Sequence, residues 1–595
     1  MKSLRLLLLS LPACLTLLNA AERPNIVFVI TDDQGYGDLA CNGHPYAKTP
    51  AIDKLHSESV ALDDYHVAPT CSPTRCGLLT GHWTNRTGVW HTVNGRSMLR
   101  ENEITIATLL KDNGYTTGMF GKWHLGDNYP YRPEDRGFDE VYRHGGGGVG
   151  QTPDLWNNNY FDGHYFHNGE IVPAKGFCTD VFFDYGIQFI KDSAAGEKPF
   201  FAYISTNAPH NPLHCPQEYM DLYPDEPKAQ QAYYGMITNI DDNVARTRKV
   251  IEELGIADNT IFIFTTDNGT VDGVDVYNAG MRGRKGSPYD GGHRVPFIMH
   301  WPNGKLTEQK SVKTLTGFVD IVPTLLDLTG SDKIPADLKF DGKSIKELLY
   351  KGDDADWEER YLITDSQRVR DPIKWRDSSV MSQKWRLING TELYNIDEDP
   401  GQKNDVSAAH PEQVQAMRRF YDDWWAELEP TFSLTTEIYL GATEAPVVTL
   451  TAHDWIQEQL PPWNQGHIRF DPETKDGKHE GHWAVKAVEA GKYTFEMRRW
   501  PKEADVAITS GLPGLPNVPG ADKAFSTKPG TAFPFTTATL RIDGKDIESQ
   551  PIPEGATHMT FTAELSKGSH QLAPVFATED GKEVGAYYLI VAPAE

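Results

Sequence analysis

Asn25-Ile-Val-Phe-Val-Ile30, running straight into Thr31-Asp32-Asp33, decides the fold of this chain. Five consecutive β-branched or aromatic residues with polar neighbours only at the ends read as a strand buried on both faces, as in the middle of a parallel sheet. The same arrangement recurs three times. Tyr115-Thr-Thr-Gly-Met-Phe120 precedes Lys122 and His124, Pro199-Phe-Phe-Ala-Tyr-Ile-Ser205 precedes Asn207 to His210, and Thr260-Ile-Phe-Ile-Phe-Thr-Thr266 precedes Asp267 and Asn268. Amphipathic stretches separate the strands. Thr49-Pro50 opens a helix with Ile52 and Leu55 on one side, and Val244 to Leu254 reads as a helix stopped by Gly255. The expected fold class is α/β, a mostly parallel mixed sheet sandwiched by helices over residues 22–345. Ligands of such sheets bind beyond the carboxyl ends of the strands, so four polar clusters at four strand ends are expected to share one crevice.

The rest of the chain bounds what that crevice serves. At 595 residues the chain exceeds one hydrophobic core, and two or three domains are expected. Lysine and arginine total 57 against 83 acidic residues, a formal net charge of -26, which excludes a broad nucleic-acid or anionic-membrane surface and requires a local positive site for any anionic substrate. Residues 1–21, with Lys2, Arg5 and an apolar run ending at Ala20 and Ala21, read as a secretory signal peptide, predicting a periplasmic or secreted protein. Cys14 follows Leu-Pro-Ala, only a loose match to a lipoprotein box because proline is awkward there, and nothing else is long and apolar enough to span a bilayer. Of the six cysteines, Cys41, Cys76, Cys178 and Cys215 are open to pairing in an oxidising compartment, with partners that sequence does not choose. Residues 346–440, with Trp385-Arg-Leu-Ile, Glu392-Leu-Tyr-Asn-Ile396 and a helix from Pro411 to Leu428, read as a small α+β subdomain. Residues 441–595, with strand-like Tyr493 to Met497, Ala538 to Ile542 and Ala586 to Val591 between Gly/Pro-rich turns, read as an appended antiparallel β-sandwich.

Asp32, Asp33, Asp267 and Asn268 form a hard, oxygen-only ligand set, which calls for Ca²⁺ or Mg²⁺ rather than zinc, with Ca²⁺ preferred. Cys71-Ser-Pro-Thr-Arg-Cys-Gly-Leu-Leu-Thr-Gly81 places a cysteine where a helix begins, and an anion is welcome at that position.

Cys-x-Pro-x-Arg leading into Leu-Thr-Gly resembles the signature of the type I, formylglycine-dependent sulfatases of the alkaline-phosphatase superfamily. Thr31 to Leu39, Phe264 to Gly269, Gly121-Lys-Trp-His-Leu-Gly126, Ala208-Pro-His-Asn-Pro212 and Gly283 to Pro296 resemble further motifs of that family, in its order, and Glu392 to Pro400 looks like its C-terminal subdomain. The resemblance implies oxidation of Cys71 to formylglycine (3-oxoalanine) by a maturation enzyme, and a metal held by Asp32, Asp33, Asp267, Asn268 and residue 71. It implies that Arg75 and Lys122 hold the formylglycine, that Lys285 and His210 contact the sulfate and assist departure of the alcohol, and that His124 is a base in the second half-reaction. Such chemistry has a physical logic. A sulfate ester resists attack by virtue of its negative oxygens and poor alkoxide leaving group, so cationic charge and a proton donor are needed. A hydrated aldehyde offers one hydroxyl to attack sulfur and a second whose proton loss expels sulfate and restores the aldehyde.

The expected substrate is sulfated carbohydrate, with His91, Arg96, Arg143, His144, Arg282 and His293 as candidate contacts and His144-Gly-Gly-Gly-Gly148 with Trp156 to Tyr160 as a candidate pocket wall. Two rival readings are a phosphonate monoester or phosphodiester hydrolase of the same superfamily, and a non-catalytic carbohydrate-binding protein on the same scaffold.

Overall fold

The computed structural model describes residues 23–469 and 479–594, so the expected signal segment, with Cys14, lies outside the described residues. Four strands form its centre: β1 (Asn25–Thr31), β2 (Thr116–Gly121), β3 (Phe200–Ser205) and β4 (Thr260–Thr266). They lie side by side in the order β4-β1-β3-β2 within a ten-stranded sheet, and every pairing among them is parallel. Ile30 stands opposite Ser205, Ser205 opposite Gly121, and Thr31 opposite Thr266. The four carboxyl ends therefore finish at nearly one level, and the residues that follow them emerge at one edge. Beyond β4 the strand Phe297–His300 runs antiparallel, which makes the sheet mixed.

Alternation along the buried strands sorts side chains onto two faces. Ile26, Phe28 and Ile30 join one core while Val27 and Val29 join the other. The second face is covered by helices Pro50–Ser57, Cys178–Ala194 and Lys228–Glu253, through residues such as Leu55, Phe182 and Ile237. The helix expected from Val244 to Leu254 in fact begins at Lys228, and its polar residues hid that start. Asn239 and Asn243 both donate to Asp180 Oδ1 at 2.8 Å, and Asp241 accepts from the backbone amides of Ala51 and Ile52 at the start of helix Pro50–Ser57. Buried polar groups that find partners this way break the apolar stripe without breaking the helix.

The first face is covered by α1 (Cys71–Thr80), by Ile106–Asp112 and Ile321–Thr329, and by a four-stranded antiparallel sheet formed by Leu362–Asp365, Ser378–Met381, Trp385–Ile388 and Glu392–Asn395. Helix Pro411–Leu428 adds Met417, Tyr421, Trp424 and Trp425 to the same core. Further on, two more sheets pack face to face around Leu450, Val485, Phe495, Leu540 and Leu589, and Met98 and Tyr131 from the earlier chain insert among them. One pair in this region, Ile438–Leu440 with Trp483–Ala487, is parallel among otherwise antiparallel ladders.

All five described cysteines are free thiols. Cys76, on α1 with Cys71, is turned into the core, where it donates to the carbonyl of Pro73 at 3.0 Å and accepts from the Thr87 hydroxyl at 3.1 Å.

Arg386, on strand Trp385–Ile388, ties the four-stranded sheet to the segments that carry Asp64 and Asp290. Fully buried, its guanidinium bridges Asp64 Oδ1 at 2.7 Å and Asp290 Oδ1 at 3.1 Å. Arg386→Met would leave two buried carboxylates without their cation, an expected cost of about 3–5 kcal/mol. A thermal melt superimposable on that of the parent protein would show the bridge to be dispensable.

Candidate active site

Cys71 is the first residue of α1, after Thr70 in extended conformation, and all ten residues of the helix are buried. The positive end of the helix dipole thus faces whatever occupies position 71. One turn on, Arg75 reaches Asp267 Oδ2 with Nε at 3.0 Å and Nη2 at 2.7 Å, a two-pronged grip on a carboxylate that stands just beyond β4. Nη1 of the same guanidinium bonds the Ser205 hydroxyl and the Lys122 carbonyl, joining the ends of β3 and β2.

Lys122 Nζ lies 2.6 Å from Asp32 Oδ2, and both side chains are fully buried. Lys285 Nζ lies 2.6 Å from Asp33 Oδ1, which also accepts from Asn268 Nδ2 at 2.8 Å, while His210 Nε2 approaches Asp33 Oδ2 at 3.6 Å. Three carboxylates thus meet three cations at one sheet edge. Burial alone would raise the Asp33 carboxyl, but Lys285 and His210 beside it hold it well below the usual carboxylate range. Asp267 moves the other way, up to about 6, because burial and the neighbouring Asp32 carboxylate outweigh Arg75.

Two oxygens in this knot are left over. Asp32 Oδ1 and Asn268 Oδ1 are buried without a hydrogen-bond partner. Ligand atoms of Asp32, Cys71 and Asp267 lie within 4.8 Å of one another, as do those of Asp32, Asp33 and His210. Unpartnered buried oxygens facing other oxygens suit a hard divalent cation, so the residues present fit the metal that the motifs imply.

The histidines occupy defined tautomers. His124, in the left-handed region at φ 62°, donates from Nε2 to the Thr92 carbonyl at 2.8 Å, which leaves its buried Nδ1 as an unpartnered acceptor. Burial, with Lys122 and His453 close by, holds its pKa well below the ordinary histidine value. His210 donates from Nδ1 to the Asn211 carbonyl at 2.6 Å, and burial lowers it to about 4.

Cys71, His124, His210 and Lys285 line one pocket together with His91, Gly147, Gln151, Arg368, Leu460 and Trp463. A larger hollow of about 750 Å³, lined by Thr116, Tyr185 and Lys198, lies at the amino end of β2, opposite to the edge where parallel sheets bind ligands. Of the expected substrate contacts, His91 is in the pocket wall. The others lie elsewhere. Arg143 pairs with Asp127 at 2.8 Å and packs over Phe166, Arg96 bonds the Arg370 carbonyl, and Arg282 stacks on Tyr289. His144 is buried against the Gly145 carbonyl, and His293 is fully buried with its Nδ1 2.8 Å from His66 Nδ1. His66, His293 and Asp290 have metal-ligand spacing, but Arg386 already neutralises Asp290 and lies 3.2 Å from His66, so they form part of a structural network. From the glycine run only Gly147 reaches the pocket; Trp156 turns away, packed on Trp500 and Arg469, while Tyr160 stands behind the site with its hydroxyl donating to the His210 carbonyl at 2.8 Å. Sequence reasoning missed Gln151, Arg368, Leu460 and Trp463, none of which carries a local motif.

The sulfatase family model matches residues 24–331, and a second model, the C-terminal part of N-sulphoglucosamine sulphohydrolase, matches residues 285–422. The chain is 30% identical to arylsulfatase G of Mus musculus over 377 residues, covering 56% of this chain and 69% of that protein. It is 30% identical to N-acetylgalactosamine-6-sulfatase of Mus musculus over 357 residues, covering 56% of this chain and 67% of that one. A solved structure of Ps i-CgsB with bound k-i-k-neocarrahexaose aligns with a TM-score of 0.61 at 29% identity, over 68% of this chain and 93% of the other.

Gly147 is constrained by the His124 ring. A Cβ at position 147 would fall 2.2 Å from His124 Cε1 and 2.3 Å from Nε2. Gly147→Ala is therefore expected to displace His124 and to lower kcat for a sulfate ester by about a hundredfold, with circular dichroism and melting temperature little changed. Parental turnover in this variant would show that the ring is not held in place by this contact.

Proposed function

Because the chain belongs to the sulfatase family and hydrolyses sulfate esters, we propose that its substrate is a sulfated carbohydrate and that residue 71 works in its formylglycine form beside a bound Ca²⁺. The observation that carries this reading is the meeting of Cys71 with the Asp32 and Asp267 carboxylates around oxygens that have no protein partner. The carbohydrate assignment draws on two of the similar proteins, one named as an N-acetylgalactosamine-6-sulfatase and one solved with a neocarrahexaose.

Each side chain has work that its contacts fit. Asp32, Asp33, Asp267 and Asn268 would hold the cation, which, with the formylglycine hydrate, supplies charge neutralisation at the sulfuryl oxygens and an oxygen nucleophile. Arg75 acts through position rather than proton transfer: by gripping Asp267 and the ends of β2 and β3 it fixes that carboxylate relative to residue 71. Lys122 on Asp32 and Lys285 on Asp33 bring positive charge to the aspartate pair, beside which the negative sulfuryl group would sit. His210, its Nδ1 committed to Asn211, turns Nε2 into the pocket beside Lys285, where the two would meet the ester and assist departure of the alcohol. His124, its Nε2 committed to Thr92, keeps Nδ1 to accept a proton when sulfate is expelled. The chain is further proposed to be exported through its N-terminal segment to the periplasm or the exterior, and to meet a formylglycine-generating enzyme for maturation.

Mass spectrometry of the peptide containing residue 71, taken from active material, is expected to find the aldehyde and its hydrate, and an unaltered thiol would refute the nucleophile. Cys71→Ala and Asp267→Ala should each abolish turnover while the protein stays folded. Ca²⁺ should raise the melting temperature of the parent protein by mass action and do so much less for Asp267→Ala. An equal response in the two would remove Asp267 from the cation site.

A further inference from the structure

The pocket that holds Cys71 is closed on one side by Leu460 and Trp463, from an irregular segment of the C-terminal region beyond the residues that either family model matches. Residues 455–466 cross from one seam to another. At the first, Asn94 bonds the backbone of Gln457 from both ends of its amide, at 3.1 and 2.9 Å, and its own N–H donates to the His453 carbonyl. At the second, buried Gln465 donates to the carbonyls of Gln151, Asp154 and Leu155 and accepts from the Asn157 N–H, while Thr152 N–H donates to the Trp463 carbonyl at 3.0 Å. Between the seams Leu460 and Trp463 face the pocket shared with Cys71 and Lys285. Leu460 is 45% exposed, an apolar side chain left in water beside Trp463 in a pocket that also holds Lys285 and Arg368.

A charged floor beside an aromatic and aliphatic wall matches a sulfated sugar, whose ring offers an apolar C–H face next to its polar edges. Arg368, exposed and without an ion-pair partner among the described residues, stands at the same mouth near Gly286. In a chain of net charge -26 an unneutralised guanidinium there selects for negative charge. We propose that Trp463 and Leu460 form the platform on which the ring of the leaving sugar rests, and that Arg368 receives a second anionic group of the same glycan. The C-terminal sandwich is then a specificity-determining part of the active site. This rests on the carbohydrate reading above.

The test uses full-length matured enzyme with 4-nitrophenyl sulfate as a gauge of sulfuryl transfer, and chondroitin 6-sulfate, heparin and carrageenan oligosaccharides as glycan probes. In Trp463→Ala the ratio of kcat/KM for the best glycan to that for the aryl ester should fall about tenfold, the loss typical of a truncated aromatic anchor, mainly through KM, with Trp463→Phe restoring most of it. Arg368→Ala should lower the same ratio and weaken its dependence on salt. Calorimetric binding of the glycan to Cys71→Ala protein should weaken in parallel when Trp463→Ala is added. An unchanged ratio and unchanged binding, or a loss that phenylalanine does not restore, would overturn the platform alone. An enzyme active on the aryl ester that neither binds nor cleaves any of the glycans would overturn the carbohydrate reading and the platform with it.

Discussion

Three buried carboxylates set at one sheet edge are the constraint that the rest of the molecule answers to. Asp32, Asp33 and Asp267 are almost wholly out of water, and like charges so close in a poor dielectric repel strongly. Each is met by a cation from a different part of the chain: Lys122 from the end of β2, Lys285 from the loop after β4, Arg75 from α1. The pairings do more than neutralise. By crossing between elements they fix the strand ends and the helix relative to one another, so the electrostatic requirement and the positional requirement of the site are met by the same contacts. The residual asymmetry, Asp33 held low and Asp267 pushed up, follows from the Lys285 ammonium against the one and the Asp32 carboxylate beside the other.

Much of this was legible in the sequence because it is local. An unbroken β-branched run names an inner strand, and parallel register then brings the residues after β1, β2, β3 and β4 to one edge without any knowledge of their long-range contacts. Helix Pro411–Leu428, with its Met417, Tyr421, Trp424 and Trp425 stripe, was readable for the same reason.

What escaped was long-range and polar. The part of helix Lys228–Glu253 before Val244 escaped because Asn239, Asp241 and Asn243 point inward, and only the folded partners Asp180, Ala51 and Ile52 make that arrangement sensible. His293 and Arg143 lie in or near segments rich in functional motifs, yet they are spent on buried networks around Arg386 and Asp127. Conversely, Arg368 and Trp463 sit in stretches with no periodicity or motif, and their place beside Cys71 comes entirely from how distant sheets dock.

The Gln465 side chain, bonded to four backbone groups of the loop that carries Gly147, is one of the ties between that loop and the C-terminal sheets. A glycine loop pressed against the His124 ring is thus braced from behind by the C-terminal sheets. On heating, this enzyme's working life is set by whichever body loosens first, since slackening of the appended sheets would free the catalytic imidazole even while the large sheet stayed intact.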